Sequence, residues 1–568
     1  MTIESIFPKG VLRPELFMGI VNTVTANTVQ VNFTEAGAPS GSYYSGGRYG
    51  KGEVGEFVII EGQINLVLGR VVEVKTADEK YNKQDTDALG RIQLLGSVSM
   101  ETLKVTPGIE GYPRLGDRVY ATPHKLVALI PSLMDEDQNN SITLEMGSVD
   151  VALESKVAIK PEKLFGRHLA ILGSTGGGKS WTTARIIEEC LKFDSKLILF
   201  DATGEYRGIK GDEVEHLHLN EPIHQADNSK KCSLPPTSFQ ESDFIALFEP
   251  AGKVQGPKFR EAIKSLRLAK LCSDKFTDGY VKKINQSKTV YNQATSDSNV
   301  LSKMDNPTTP FDVDLLVRQI EQECVWPDGY NDTSKWGKED GNFSHCLSLV
   351  ARINGILSSP ALSCVFHDSE DASLIDKVES FIEDKNKKLL RLDLSGISFE
   401  YKAREIISNV IGRYFLNQAR KKSFVESPLL IFLDEAHNFI GKHIGGEDTV
   451  AKLDSFELIA KEGRKFGLNI CLATQRPRDI TEGVLSQVGT MIVHRLTNDR
   501  DREIVERACG EIDKAASSFL PNLKPGEAAI IGNDFPIPLT IQINVPTTPP
   551  ESSGPDYQKS WTKNPEES

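Results

Sequence analysis

The sequence predicts an α/β fold: a nucleotide-binding sheet, preceded by a small β-barrel and interrupted by a helical segment. Three observations carry this. Residues 166–184 hold a G-x-x-x-x-G-K-[ST] match between a short apolar strand and a helix. A second apolar run, 428–433, ends in Asp434-Glu435. The first 130 residues alternate apolar and polar, with Gly and Pro at short intervals and no long helical period.

Composition bounds the rest. A chain of 568 residues is too long for one core, so two to four domains are expected. Hydrophobic residues make up 39% and charged residues 26%, as in soluble globular protein. The eight cysteines (190, 232, 272, 324, 346, 364, 471, 509) form no C-x-x-C pair. That argues against zinc or a disulfide framework and suits a reducing compartment, so a cytoplasmic location is expected. Residues 1–20 lack the apolar stretch of a signal peptide, and no apolar run approaches membrane-spanning length. A net charge of −13 disfavours nucleic-acid binding by the whole surface, but not by a basic pore or patch.

Taken in order, the barrel strands are expected at 18–33 around an Ala-Asn turn, at 56–75 with a break at Glu61-Gly62, at 91–95 and at 118–121. The acidic stretch 134–141 reads as a loop or linker, so the first domain spans 1–150. The sheet domain begins with 151–209. Leu169–Leu172 is a buried strand, and 181–193 is the helix that leaves the glycine loop. Glycines let main-chain N–H groups close round a triphosphate, and the helix N-terminus adds its positive dipole end. The nucleotide contacts are therefore expected from Gly173, Ser174, Thr175, Gly176, Gly177, Gly178, Lys179, Ser180 and Trp181. Lys179 reaches the β- and γ-phosphates of ATP, and the Ser180 hydroxyl ligates Mg²⁺.

A second buried strand, 196–200, delivers Asp201, with Glu205 four residues on. Two readings stay open for this pair. It is a carboxylate pair at the ligand edge of an open sheet, or a capping Asp beside a solvated Glu. Residues 210–385 read as an inserted helical subdomain, with helices at 259–271, 311–323 and 344–357. Within it, 251–290 is rich in Lys and Arg. A phosphate-binding patch is one reading and a solvated helix face the other, and base rates favour the second.

The α/β rhythm resumes over 386–545. A strand at 389–394 and an amphipathic helix at 401–422 precede the strand 428–433. Its Asp434 is placed to hold Mg²⁺, and Glu435 to polarise the attacking water. Beyond come a Gly-rich loop with Lys442 and His443, then a helix at 449–465 that carries Lys461, Arg464 and Lys465. The strand 469–474 ends at Gln475. A polar Gln there contacts the γ-phosphate or the water and so reports ATP against ADP. Arg464 is either a finger acting on a neighbour's nucleotide or a cation complementing a helix C-terminus. His168 and His437 are packed or hydrogen-bonded residues with no catalytic role. A strand at 490–496 and helices at 499–509 and 512–520 follow, then a closing strand pair at 526–532 and 539–545. The tail 546–568 is rich in Pro, Ser, Thr and Glu. It is expected to be disordered or ordered only by docking on a neighbour.

The ordered set of motifs carries a resemblance. Arg167-His168 before the loop, Asp201-x-x-Gly204-Glu205-Tyr206, Leu433-Asp-Glu-Ala-His437, Glu462-Gly-Arg-Lys465, Ala473-Thr-Gln-Arg-Pro477, Leu485-Ser-Gln487 and Arg495-Leu-Thr-Asn498 together resemble the HerA ATPases of the HerA/FtsK superfamily. The motifs span roughly 165–535, and the β-rich start resembles that family's HAS barrel. The resemblance implies a RecA-like core assembled as a homo-hexameric ring around duplex DNA. Its nucleotide sites would lie at subunit interfaces, with Lys179, Ser180, Asp434, Glu435 and Gln475 on one face and Arg464 from the next subunit. It also implies DNA translocation together with a nuclease. Archaeal members pair with NurA in end resection, and bacterial ones act in anti-phage systems beside sirtuin-like NADases or nucleases. The long insertion, the tail and the cysteines point to the bacterial, defence-associated branch. Pore contacts are expected from Lys442, His443, Lys461 and Lys465. A ring that scaffolds an effector without processive movement is the alternative.

Overall fold

The computed structural model describes residues 14–33, 42–44, 47–49, 52–76, 88–134, 142–149, 155–367, 370–440, 443–444, 451–508, 519–552 and 557–561. Alternation of apolar and polar residues builds the first element, a closed antiparallel barrel. Its strands are β1 (Phe17–Val24), β2 (Thr28–Phe33), β3 (Phe57–Ile60), β4 (Leu66–Thr76), β5 (Ala88–Val98) and β6 (Arg118–Ala121). The order runs β2-β1-β6-β3-β4-β5, and β5 returns to β2, which closes the ring and leaves no edge in it. The inward residues, among them Val29, Val31, Phe33, Val58, Ile60, Val71 and Ile92, form its core. After the barrel, α1 (His124–Leu133) buries Leu126, Val127, Ile130 and Leu133. The strand-only expectation for 1–130 missed this helix, because it is short and holds Pro131, which reads as a helix breaker.

The later strands, in chain order, are β7 (Leu144–Ser148), β8 (Lys156–Ile159), β9 (Leu169–Leu172), β10 (Lys196–Asp201), β11 (Val214–Leu219), β12 (Lys230–Ser233), β13 (Leu389–Asp393), β14 (Leu429–Leu433), β15 (Leu468–Thr474), β16 (Thr490–Val493), β17 (Glu527–Gly532) and β18 (Phe535–Ile543). The chain divides into two units, 1–194 with 469–549, and 195–468 with 550–568.

In the first unit the strand order is β8-β7-β18-β17-β16-β9-β15. β9 runs parallel to both β15 and β16, with Leu172 level with Thr474 and Val493. One strand edge therefore carries the glycine loop, Gln475 and His494. α2 (Lys179–Leu191) leaves that loop. The barrel is tied to this unit by Arg70 of β4. Its guanidinium donates to Gly55 O at 3.0 Å and Thr540 Oγ1 at 3.1 Å, and lies 4.2 Å over the Phe519 ring. Burial pushes this guanidinium down to about 10. Thr547 and Thr548 N–H groups donate to the Glu188 carboxylate on α2 at 2.9 and 2.7 Å, so this stretch of the tail is held by its own chain.

In the second unit the order is β14-β10-β13-β11-β12, all parallel, with a short strand Ala372–Ser373 at the edge. β11 and β12 fall inside 210–385. The segment read as a helical insertion thus supplies sheet strands first, and its helices come after them. Among these helices are α3 (Glu241–Phe248), α4 (Gly252–Leu271), α5 (Leu316–Glu323) and α6 (Phe343–Leu357). The isolated strands were hidden by His216, His218 and Lys230–Lys231, which dilute the apolar signal. Within 251–290 most of the basic groups have acidic partners. Lys264 pairs with Asp305 at 2.9 Å, Lys282 with Asp278 at 2.7 Å and Lys288 with Asp328 at 2.6 Å. Arg267 and Lys283 are buried, Arg267 bonded to Thr309 O and Pro307 O and Lys283 paired with Glu323. The phosphate-patch reading is not supported by this arrangement. α7 (Ala403–Arg420) and α8 (Ser455–Glu462) also belong to this unit. No single helix among the described residues is long and apolar enough to cross a membrane.

Removing the Arg70 tie should loosen the barrel from its own unit. Arg70→Ala loses charged hydrogen bonds and the packed stem, a cost of about 2–4 kcal/mol. The first transition in a thermal melt should move down by several degrees, and an unchanged melt would contradict the assignment.

Candidate functional site

The glycine loop 173–178 takes backbone shapes that a side chain would resist. Gly176 has φ 72° and Gly178 φ 117°. Gly178 stands at the N-cap of α2, and no side chain caps that helix, so its first N–H groups face the loop's hollow. Ser174 is anchored by Arg495 O, which accepts its main-chain N–H at 3.0 Å and its hydroxyl at 2.9 Å. Lys179 is buried, and its ammonium donates to Ser174 O at 3.3 Å, so it lies across the loop. Ser180 is half-buried in the first turn and Trp181 is 39% exposed. The Thr175 hydroxyl donates to Gln475 Oε1. This joins Gln475 to the loop.

Two residues at the same edge were outside the sequence expectations. His494 is fully buried and sits under the glycines, and the Gly526 N–H donates to Gly177 O at 3.2 Å. Neither carries a motif signal beyond its neighbourhood, since His494 merely precedes Arg495-Leu-Thr-Asn498. His168 is buried, with Nδ1 accepting from Ile470 N–H at 3.1 Å, which is the packed role expected of it.

In the second unit, register decides the acidic cluster. Parallel pairing sets Asp201 beside Asp393 and Phe200 beside Leu433. Asp201 is fully buried. Its oxygens accept N–H groups of Gly204 at 2.8 Å, Glu205 at 3.2 Å and Tyr206 at 3.1 Å, and the Arg391 Nε at 2.7 Å. Arg391, also fully buried, reaches Asp393 at 2.8 Å with its other arm. Asp201 is therefore a turn cap neutralised by Arg391, and the ligand-edge reading yields to the capping one. Glu205 is half-buried, not solvated, and its carbonyl accepts from Glu551 N–H at 2.9 Å, while Arg207 pairs with the Glu551 carboxylate. The tail from Pro550 is thus held at this turn.

The capped turn reaches the second motif. Tyr206 Oη lies 3.4 Å from Asp434 Oδ1, and Thr203 Oγ1 lies 3.5 Å from Oδ2. Asp434 is buried, and its N–H donates to Phe200 O at 3.1 Å. Glu435 has φ 49°, a left-handed backbone rare for a non-glycine and concentrated at functional turns. Its Oε2 lies 3.3 Å from His437 Nδ1, so His437 contacts the expected water-polarising carboxylate. Arg464 is exposed in the 3-10 turn Gly463–Phe466, and its side chain has no partner among the described residues. Lys461 pairs with Glu457 at 2.5 Å, and Lys465 is exposed. Lys442 lies outside the described residues. Of His443 only the backbone is described, in a two-residue strand paired with Ala451–Lys452.

Arg391→Met leaves two facing buried carboxylates without their counter-charge, at a cost of about 3–5 kcal/mol. Denaturant unfolding should show that loss, and Asp201→Asn in the same chain should recover part of it. Additive losses in the double variant would refute the clamp.

The profile "Helicase HerA, central domain" matches residues 144–425. The DNA double-strand break repair helicase HerA of Sulfolobus acidocaldarius is 24% identical over 526 residues, which cover 90% of this chain and 93% of that protein. The probable HerA of Methanocaldococcus jannaschii is 26% identical over 514 residues, covering 86% and 90%. The solved bacterial conjugative coupling protein TrwBdeltaN70 aligns over 76% of this chain and 94% of its own, at 14% identity and TM-score 0.44. Profile, relatives and the ordered motifs converge, and the chain is a HerA-type P-loop ATPase of the HerA/FtsK superfamily.

Proposed function

We propose that this ATPase is a motor on duplex DNA. It works as a homo-hexameric ring that threads the duplex through its channel, with a partner nuclease or sirtuin-like effector, in anti-phage defence or DNA end processing. The observation that carries the reading is the similarity, over about nine-tenths of the chain, to proteins named as DNA double-strand break repair helicases.

The chemistry assigned to the chain follows from its donors. The uncapped start of α2 and the loop N–H groups suit a triphosphate, and Lys179 is the cation for its β- and γ-phosphates. The Ser180 hydroxyl and the Asp434 carboxylate are hard oxygen ligands of the kind Mg²⁺ takes, and Thr203 and Tyr206 orient Asp434. Bound Mg²⁺ would neutralise phosphate charge there. Glu435 polarises the attacking water. Gln475 is bonded to Thr175 of the loop and so is suited to report whether the γ-phosphate is present. Arg464 is exposed and unpartnered among the described residues, which suits a finger offered to a neighbouring subunit. Lys442, His443, Lys461 and Lys465 remain the proposed DNA contacts.

ATP turnover measured with and without linear duplex DNA tests the motor. Stimulation of several-fold that falls steeply with salt is expected. Lys179→Ala should abolish turnover, and Glu435→Gln should bind ATP without hydrolysing it. Normal turnover indifferent to DNA would overturn the motor and favour a ring scaffold that activates an effector. Arg464→Ala should lower kcat by about 10³-fold or more without changing the melting temperature of the subunit. Wild-type turnover in that variant would remove the finger.

A further inference from the structure

Beneath the glycine loop lies an imidazole that the proposed chemistry does not use. His494 follows β16 and is fully buried. Its N–H donates to Leu172 O at 2.7 Å, just where β9 opens into the loop. A Cβ built on Gly173 would stand 2.6 Å from His494 Cβ. One on Gly177 would stand 3.3 Å from the same atom, and one on Gly178 3.1 Å from ring Cε1. Three loop glycines therefore rest on this one side chain.

Both ring nitrogens are engaged. Nδ1 lies 2.9 Å from Glu527 O at the start of β17, and Nε2 lies 2.8 Å from Thr182 Oγ1 in α2. A carbonyl only accepts, so the proton is assigned to Nδ1, and Nε2 accepts from the Thr182 hydroxyl. Burial pushes the imidazole down to about 4, and the nearby Lys179 charge acts in the same direction. The ring is thus a single uncharged tautomer at neutral pH, bonded to β17 on one side and to the P-loop helix on the other.

We propose that His494 is a positioning residue of the nucleotide site, whose side chain supports the 173–178 loop from below and whose ring bonds seat α2 and Gly178, so that the loop N–H groups and Lys179 meet the phosphates of ATP. The physical reason is that Gly173 and Gly176–Gly178 bring no side chains with which to hold the loop's shape. At those positions its conformation must come from what the backbone lies on. Groups that bind through oriented dipoles lose effect steeply with displacement, and a shift of about 1 Å can cost about 10²-fold. The inference rests on ATP binding at this loop.

The test uses the full-length protein, Mg²⁺ and the fluorescent analogue mant-ADP, with ATP turnover and melting temperature measured alongside. His494→Phe keeps a ring but offers neither donor nor acceptor. It should weaken mant-ADP binding about tenfold, or about 1.4 kcal/mol, and raise the KM for ATP by a similar factor. A side chain that served packing alone would lower the melting temperature and the active fraction, hence kcat, at unchanged KM. Thr182→Val preserves shape and removes the single hydroxyl that Nε2 accepts from, and a rise in Kd and KM of about threefold or more is expected. Wild-type Kd and KM in folded His494→Phe would overturn the inference. If that variant does not fold, wild-type values in Thr182→Val overturn it instead. Failure of the wild-type protein to bind mant-ADP would sink the ATP reading and this inference together, whereas normal binding in wild type and variants sinks this inference alone.

Discussion

Main-chain N–H groups can hold a phosphate only where no side chain stands between them and it. That requirement strips one face of the loop bare, and the structure shows the same bareness used on the other face. A Cβ at Gly173 would meet His494 at 2.6 Å, so the glycine there is demanded from below. The parallel register of β9 with β15 and β16 then makes the arrangement compact. Leu172, Thr474 and Val493 end level, so the residues that follow each strand meet at one edge. Gln475 bonded to Thr175, and Arg495 O bonded to Ser174, are consequences of that register.

A second constraint, charge in a dry interior, organises the other unit. In-register parallel strands place Asp201 and Asp393 side by side, where two carboxylates would repel. Arg391 lies two residues before Asp393, hence on the same face of β13, and its fork spans both. Once neutralised, Asp201 can cap the turn 202–206 with three N–H bonds. The turn in its folded shape sets Thr203 and Tyr206 against Asp434. A buried ion cluster here serves the position of a neighbouring carboxylate, which is a stronger reason for its presence than net stability.

The helical part of the insertion follows simpler rules. Its run of lysines and arginines looks like a phosphate surface in one dimension. Folded, Lys264, Lys282 and Lys288 meet Asp305, Asp278 and Asp328, and Arg267 saturates main-chain carbonyls inside the subdomain. Most of the acidic partners, Asp305, Glu323 and Asp328 among them, lie outside 251–290, so a count over that window could not pair them.

Much of the site was legible in the sequence because its chemistry is local. The loop, Lys179, Ser180, the Asp434-Glu435 pair and the strands that deliver them are contiguous patterns of apolar run, glycine and charge. The barrel was legible for the same reason, as alternation repeats every two residues. What escaped were contacts between residues far apart in the chain. Thr182 and His494 are separated by 312 positions, and Asp201 and Arg391 by 190. The helix α1 escaped because it is short and holds Pro131, and the strands β11 and β12 because their burial does not alternate. The sequence by itself determined that this chain has a phosphate loop and an acidic strand end. Only the tertiary structure decided which side chains seat that loop and which role Asp201 takes, because packing and charge neutralisation act between strands that chain order does not bring together.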